Sequence, residues 1–251
     1  MKHTSARSVR RAAAALACAA ILLPLTACNG DETADDPAGG GKSSQSPAGA
    51  DAKPNGVEKL SAADIYNKGK KANADAGSVH ERQTRSDAKT DLLVSATDCV
   101  GKVDLLDHGK FEIIRKGDDI WGKVDSRFAN WAKQNGSTVP AGKWMHGSES
   151  NPIMKALSSY CHTSQFTKPD TASVKMTKGA ATKVEGQPVI PLVIENQGKK
   201  GTYNVATTGT PYMVMQEGPY KGGSARIVWT EFGTPVNAKA PTGEIVEAPK
   251  G

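Results

Sequence analysis

The sequence predicts an α+β fold built on antiparallel sheet, and three features carry that prediction. Short runs in which every second residue is apolar recur on both sides of the chain's middle, each ending at Gly, Pro, Asn or Asp. Between them lies a stretch whose apolar residues repeat at the spacing of helical turns. A capped helix precedes them all. The order helix, meander, helical insert, meander keeps strands and helices in separate blocks, as in one α+β domain.

The domain opens near Val57. Ser61-Ala62-Ala63-Asp64 has the spacing of an N-cap followed by an acid at the third helical position. It predicts a helix from Ser61 to Ala76, with Ile65, Gly69, Ala72 and Ala76 along one side and Gly77 at its end. From Ser78 to about Val124 the pattern becomes strands. Leu92, Val94 and Ala96 alternate, as do Cys99, Gly101, Val103 and Leu105. Phe111 and Ile113 follow the His108-Gly109 turn; Ile120, Gly122 and Val124 follow Gly117-Asp118. Such successive hairpins predict an antiparallel meander. Trp121 is out of phase with Ile120 and Val124, so it should face the other side of its strand.

Ser126 to Gln134, with Phe128 and Trp131, predicts a short helix closed by Asn135-Gly136. After a loop bearing Trp144, Asn151 should cap a second helix with Pro152 in its first turn. Ile153, Leu157 and Cys161 fall at i, i+4 and i+8, which places Cys161 on the core side. Val189 to Ile194 is nearly all apolar, as in a strand covered on both faces. Tyr203/Val205, Tyr212 to Met215, and Ala225, Ile227 and Trp229 continue the sheet. There is no internal repeat.

The residues ahead of the domain read as an export address. Lys2 to Arg11 is basic and Ala12 to Leu25 is apolar, a run too short to span a bilayer as a mature helix, which needs roughly 20 residues. Leu25-Thr26-Ala27-Cys28 resembles the bacterial lipobox. Its thiolate attacks a diacylglycerol donor to form a thioether, and small Ala27 permits cleavage before Cys28. The expected division is residues 1–27 as signal peptide, 28–56 as lipidated Cys28 and flexible tether, and 57–251 as the folded domain. The tether is rich in Gly, Pro, Ser, Asp and Ala and cannot bury enough surface to offset its ordering entropy. Its reach is on the order of 30 Å. Two buried acyl chains would hold the protein on the outer face of the cytoplasmic membrane.

Removing Lys2, Arg7, Arg10 and Arg11 from the 32 basic residues leaves 28 against 26 acidic ones. So nearly neutral a mature chain gives no electrostatic case for nucleic acid. Cys18 leaves with the signal and Cys28 is acylated, so Cys99 and Cys161 remain. Outside the cytoplasm such a pair is expected to form a structural disulfide. The alternative, a redox or metal pair, lacks Cys-x-x-Cys spacing.

No catalytic constellation is legible. His80, His108, His146 and His162 show no i, i+4 pair, and Thr84 stands where His80-Glu81 would need its second zinc-binding histidine. His108 in a turn and His146 in a loop read as solvated, although clustering of His80, His146 or His162 with acids would point to chemistry. Ser86-Asp87-Ala88-Lys89 has Ser-x-x-Lys spacing but lies between strands and lacks Lys-Thr-Gly. Gly41-Lys42-Ser43 lacks the first glycine of a phosphate loop, with Asp36 in its place. Nothing calls for a metal or cofactor, and the expectation is a non-enzyme. Asn135-Gly136-Ser137 fits a glycosylation sequon, which turn chemistry explains more simply. Trp121, Trp131, Trp144, Leu157 and Trp229 are candidate ligand-lining residues, with core filling as the alternative for each.

Three stretches together resemble the LppX/LprG lipoproteins and their LolA-like relatives. They are the helix from Ser61 to Ala76 with the strand at Val79; Ile113 to Lys123 leading to Trp131, Gly142-Lys143-Trp144 and the helix at Asn151; and the ending, Tyr212 to Glu217, Phe232 to Val236, Ala240-Pro241 and Glu244-Ile245-Val246. The resemblance covers about residues 57 to 249 as order and spacing. It implies a half-barrel, a curved antiparallel sheet wrapped over helices around an apolar cavity, and carriage of lipids or lipidated cargo. The partners so implied are the membrane, through Cys28, and an apolar, lipid-like ligand. A tethered sensor or protein-interaction module is the alternative, with its protein partner open.

Overall fold

The computed structural model describes residues 53–161 and 174–250, and its local structure begins with capping chemistry. After a 3-10 turn at Val57–Lys59, helix α1 spans Ala62–Asp75. The Ser61 hydroxyl accepts from the Asp64 N–H at 3.2 Å and donates to the Asp64 carboxylate at 2.7 Å. One orphan donor of the first turn is thereby satisfied, and the acid sits at the positive end of the helix dipole. The buried side of α1 is Ile65, Tyr66, Gly69 and Asn73. Asn73 takes the place expected for Ala72 because its amide closes two 2.9 Å bonds, to the N–H and the carbonyl of Met213.

Five strands follow, each antiparallel to the one before: β1 (Ser78–Arg85), β2 (Lys89–Ser95), β3 (Asp98–Asp104), β4 (Lys110–Lys116) and β5 (Asp119–Val124). Helix α2 (Ser126–Gln134) starts at Asp125, whose carboxylate accepts from the Phe128 N–H at 2.7 Å. Trp144 lies in a strand rather than a loop: β6 (Trp144–Gly147) adds to β5. Four residues are too few for an alternating pattern to register in the sequence. Helix α3 (Pro152–Ser158) is capped by the Asn151 side chain, which accepts from the N–H groups of Ile153 and Met154.

The second meander comprises β7 (Lys175–Lys178), β8 (Thr182–Val184), β9 (Gln187–Asn196), β10 (Lys199–Ala206), β11 (Met213–Tyr220), β12 (Gly223–Thr230) and β13 (Ile245–Glu247). Strand β12 pairs with β1 and so joins the two meanders. The resulting order is β13-β6-β5-β4-β3-β2-β1-β12-β11-β10-β9-β7, with β8 also on β9. Every pairing is antiparallel except β13 with β6. The two ends do not meet. The fold is α+β, a curved, unclosed antiparallel sheet over helices, as the resemblance implied.

Concave and convex faces follow from register. Helix α1 rests on β10, β11, β7 and the edge of β1, α2 on β4, and α3 on β4 and β5. Close approach depends on glycine. A Cβ at Gly69 of α1 would sit 2.9 Å from Met213 and 3.2 Å from Val205, and one at Gly122 of β5 would sit 2.5 Å from Leu157 of α3.

A disulfide joins Cys99 of β3 to Cys161, with Cα atoms 5.8 Å apart, and both cysteines are buried. The expected staple between insert and sheet is present, but Cys161 is not on the helix. Helix α3 stops at Ser158, and the Cys161 N–H closes a turn onto the Ser158 carbonyl at 2.8 Å.

On the convex face, the β8–β9 hairpin is tied to β1 and β12 by Glu185, which meets Arg82 at 3.0 Å and Arg226 at 3.8 Å. A second apolar cluster of Val189, Ala206 and Val214 packs with Val184, Tyr212 and Phe232. Val189 belongs to this cluster while Ile190 and Leu192 belong to the main core. The run Val189 to Ile194 is thus covered on both faces, as its composition predicts.

Candidate functional site on the concave face

In the middle of the concave face, a floor on β12, β2 and β3, no described helix packs closely, and the inward side chains Trp229, Leu92, Thr90 and Val103 are buried. Cross-strand register fixes what lines it. One row runs Trp229, Glu81, Leu92, Gly101, and the adjacent row runs Ile227, Gln83, Thr90, Val103. At Gly101 a side chain is barred, since a Cβ there would lie 2.1 Å from the Asp91 carbonyl oxygen. Trp229 is 1% exposed and its indole N–H donates to Glu81 at 2.8 Å, so the large ring sits in the core with its polar edge satisfied.

The sequence-predicted lining residues divide between faces. Trp229 and the buried Leu157 belong to the concave side and its main core. Trp121 faces the opposite way, as its phase predicts, and stacks on His146 of β6 with ring centroids 5.2 Å apart. Trp144 shares that convex side with Lys123, whose ammonium lies 5.8 Å from the ring centroid. Trp131 of α2 stacks on His108 at 4.9 Å and meets Phe128 edge-on at 5.4 Å. Sequence reasoning missed Glu81, Gln83 and Thr90. Their alternation in β1 and β2 was available as a signal, but polar residues at inward positions read as solvent-facing.

Two histidines do gather acids. His80 contacts Asp91 at 2.7 Å and Glu231 at 3.4 Å; His146 contacts Asp119 at 3.0 Å and Glu247 at 3.3 Å. His146 is therefore held above its usual value, chiefly by the Asp119 hydrogen bond, with burial opposing and Glu247 assisting. Both lie on the convex face as ion pairs linking neighbouring strands. Among the described residues no group of three or more His, Cys, Asp or Glu side chains is placed to hold a metal ion. His162 and Cys28 lie outside the described residues.

Two surface depressions lie away from the floor. One of about 300 Å³ lies between α1 and the Thr210–Tyr212 turn, bordered by Lys68, Lys71, Asp75 and Tyr212. The other, about 270 Å³, is polar and bordered by Arg115, Asp118, Ser148 and Glu149. Neither is an enclosed apolar cavity.

The architecture is that of solved structures. LprF from Mycobacterium bovis is 13% identical, with 72% of this chain and 97% of LprF covered and a TM-score of 0.50. Lipoprotein LppX from Mycobacterium tuberculosis is 14% identical, with 71% of this chain and 98% of LppX covered and a TM-score of 0.49. No family model and no curated protein matches the sequence. The likeness to LprF is one of fold.

Proposed function

We propose that the protein is an extracytoplasmic lipoprotein, anchored to the outer face of the cytoplasmic membrane through Cys28, that binds or carries an apolar, lipid-like ligand. Residues 1–27 act as the signal peptide, 28–56 as lipidated cysteine and tether, and 57–251 as the carrier domain. One observation supports the reading: the fold, a curved, unclosed antiparallel sheet over helices like that of LprF, with the inward side chains Leu92, Val103 and Trp229 apolar. Trp229 and Leu157 are the residues proposed on this side, with Trp131 packed at the margin of the same core; Trp121 and Trp144 lie on the opposite face. No described helix is long and apolar enough to cross a membrane.

Native mass spectrometry of the purified protein, before and after organic extraction, tests the ligand. A lipid-sized mass lost on extraction is expected, and a protein that is empty from every preparation would sink the carrier reading. Fractionation tests the anchor: Cys28→Ala should move the chain from membrane to soluble fractions.

A second reading, a tethered interaction module, is favoured by a convex-face row. Leu93, Val100, Ile114 and Trp121 align across β2 to β5, and the β8–β9 hairpin lies on the other half of that face.

A further inference from the structure

The near-neutrality of the mature chain is a cancellation. The tether, residues 29–52, carries five acidic residues and one basic one, so the domain it leads into is basic. Within that domain the surplus is gathered on one flank. Residues 53–76 and 174–206, which form the 3-10 turn, α1 and β7 to β10, hold ten lysines against five acidic residues, whereas residues 77–161 and 207–250 hold 16 basic against 15 acidic. The flank is contiguous. β7, β9 and β10 lie side by side at one end of the sheet, β8 pairs with β9, and α1 rests on β7 and β10. Lys178 of β7 donates to the carbonyls of Glu58 and Leu60, which seats the turn bearing Lys59 against the edge strand.

Four of the five acids there are engaged. Asp75 takes Lys71 at 2.7 Å, Glu195 lies 3.9 Å from Lys200, Glu185 is held by Arg82 and Arg226, and Asp64 accepts from the Ser61 hydroxyl. Lys53, Lys59, Lys68, Lys175, Lys183 and Lys199 are exposed, and none forms an ion pair with a described carboxylate. Lysine at a sheet edge guards against pairing with other strands, and that accounts for Lys175 on β7. It does not account for Lys59 or Lys68, which lie on the 3-10 turn and on α1.

The tether enters the domain on this same flank. Pro54 bridges to Thr208, and the Lys53 carbonyl accepts from the Gly209 N–H at 3.1 Å, just beyond β10. Only 24 residues separate Cys28 from Lys53. An anionic bilayer attracts lysines brought within a Debye length, about 8 Å at physiological ionic strength, each adding roughly fivefold to partitioning. The tether's own acids compete poorly, because exposed ion pairs to a coil with no large apolar residue to hold it contribute little.

We propose that the α1/β7 flank is the face that rests on the membrane, with Lys59, Lys68, Lys175 and Lys199 against anionic lipid headgroups. This rests on the reading that Cys28 anchors the chain: the anchor supplies proximity, and the lysines set which face is down.

The test uses the exported chain, residues 28–251, carrying Cys28→Ser, so that neither signal peptide nor acyl group contributes. Its partition coefficient is read by sedimentation with vesicles of phosphatidylcholine alone or mixed equally with phosphatidylglycerol. The mixed vesicles should bind it roughly tenfold better or more, an excess lost when salt is raised to about 0.5 M. In the combined Lys59→Gln, Lys68→Gln, Lys175→Gln, Lys199→Gln variant the excess should fall close to one. A matched set, Lys102→Gln, Lys116→Gln, Lys133→Gln and Lys155→Gln, removes the same charge from exposed positions on β3, β4, α2 and α3 and should keep it. Equal loss in both sets, or no excess in the unsubstituted chain, overturns the proposal. So does an excess that emerges only after Asp31, Glu32, Asp35, Asp36 and Asp51 are replaced by their amides, which would put the tether on this flank. All eight lysines are exposed, so an unchanged Tm is expected in both sets. Fractionation of Cys28→Ala answers for the anchor whatever the vesicles show.

Discussion

The Trp121 indole lies stacked on the His146 imidazole with planes 27° apart, and that imidazole bridges Asp119 of β5 and Glu247 of β13. His146 thus ties the three-residue edge strand to the body of the sheet. Its folded-state pKa is raised above the ordinary 6.5, first by Asp119. A raised value means that the stabilisation is fully present below the unfolded pKa and is lost as pH rises through the folded one. Thermal stability should therefore decline as pH climbs above about 6.5, with β13 loosening first. A protonated imidazole quenches a stacked indole, so Trp121 fluorescence should rise with pH with a midpoint above 6.5 and show no such step in His146→Gln. A midpoint below 6.5 would contradict the arrangement.

The Cys99–Cys161 disulfide closes a loop of 62 residues between the concave sheet and the end of the helical insert. On the chain-entropy model such a closure is worth about 4 kcal/mol. Cys99→Ala with Cys161→Ala should lower the urea midpoint accordingly and steepen the transition, because the unfolded chain is no longer held compact by the cross-link. Dithiothreitol should do the same to the native chain only after it unfolds, because both sulfurs are buried. Rapid reduction of the native protein would show that the bond is exposed.

What the sequence showed plainly was period. The meander from Leu92 to Val124, the caps at Ser61 and Asn151, and the outward phase of Trp121 all follow from residue spacing and appear in the structure. What it hid was anything shorter than a period or dependent on distant partners. β6 and β13 are too short to alternate visibly, and β8 earns its place through Glu185 reaching Arg82, 103 residues away in sequence. Asn73 looks like a surface residue on a helix until β11 arrives 140 residues later. The concave floor was half legible: its apolar members were seen, while Glu81, Gln83 and Thr90 read as polar because strand phase alone does not say which face is inward.

Asn73 supplies the third prediction. Its side chain takes over both backbone groups of Met213, at the point where β10 and β11 shift register between Asn204 and Val205. Asn73→Ala leaves a buried N–H and a buried carbonyl unpaired, each costing about 1–3 kcal/mol. The variant should be destabilised by about 2–6 kcal/mol, and hydrogen exchange should accelerate at Met213 and along α1 before it changes in β3 and β4. Uniform acceleration across the sheet would mean that α1 does not act as a separate clasp.

The last prediction concerns how α3 sits on the sheet. Leu157 projects into the space that a side chain at position 122 would occupy: a Cβ on Gly122 would lie 2.5 Å from its Cδ1. Gly122→Ala must therefore displace Leu157, an overpacking cost of about 1–3 kcal/mol. Leu157→Ala alone opens a void under α3 and should cost about 2–5 kcal/mol. If the two residues share one volume, the double variant should be more stable than the sum of the single costs allows, with a coupling of about 1 kcal/mol or more measured by urea unfolding of all four proteins. Strict additivity would mean that α3 relaxes away from the sheet, and the disulfide at Cys161 would then be all that fastens this end of the insert.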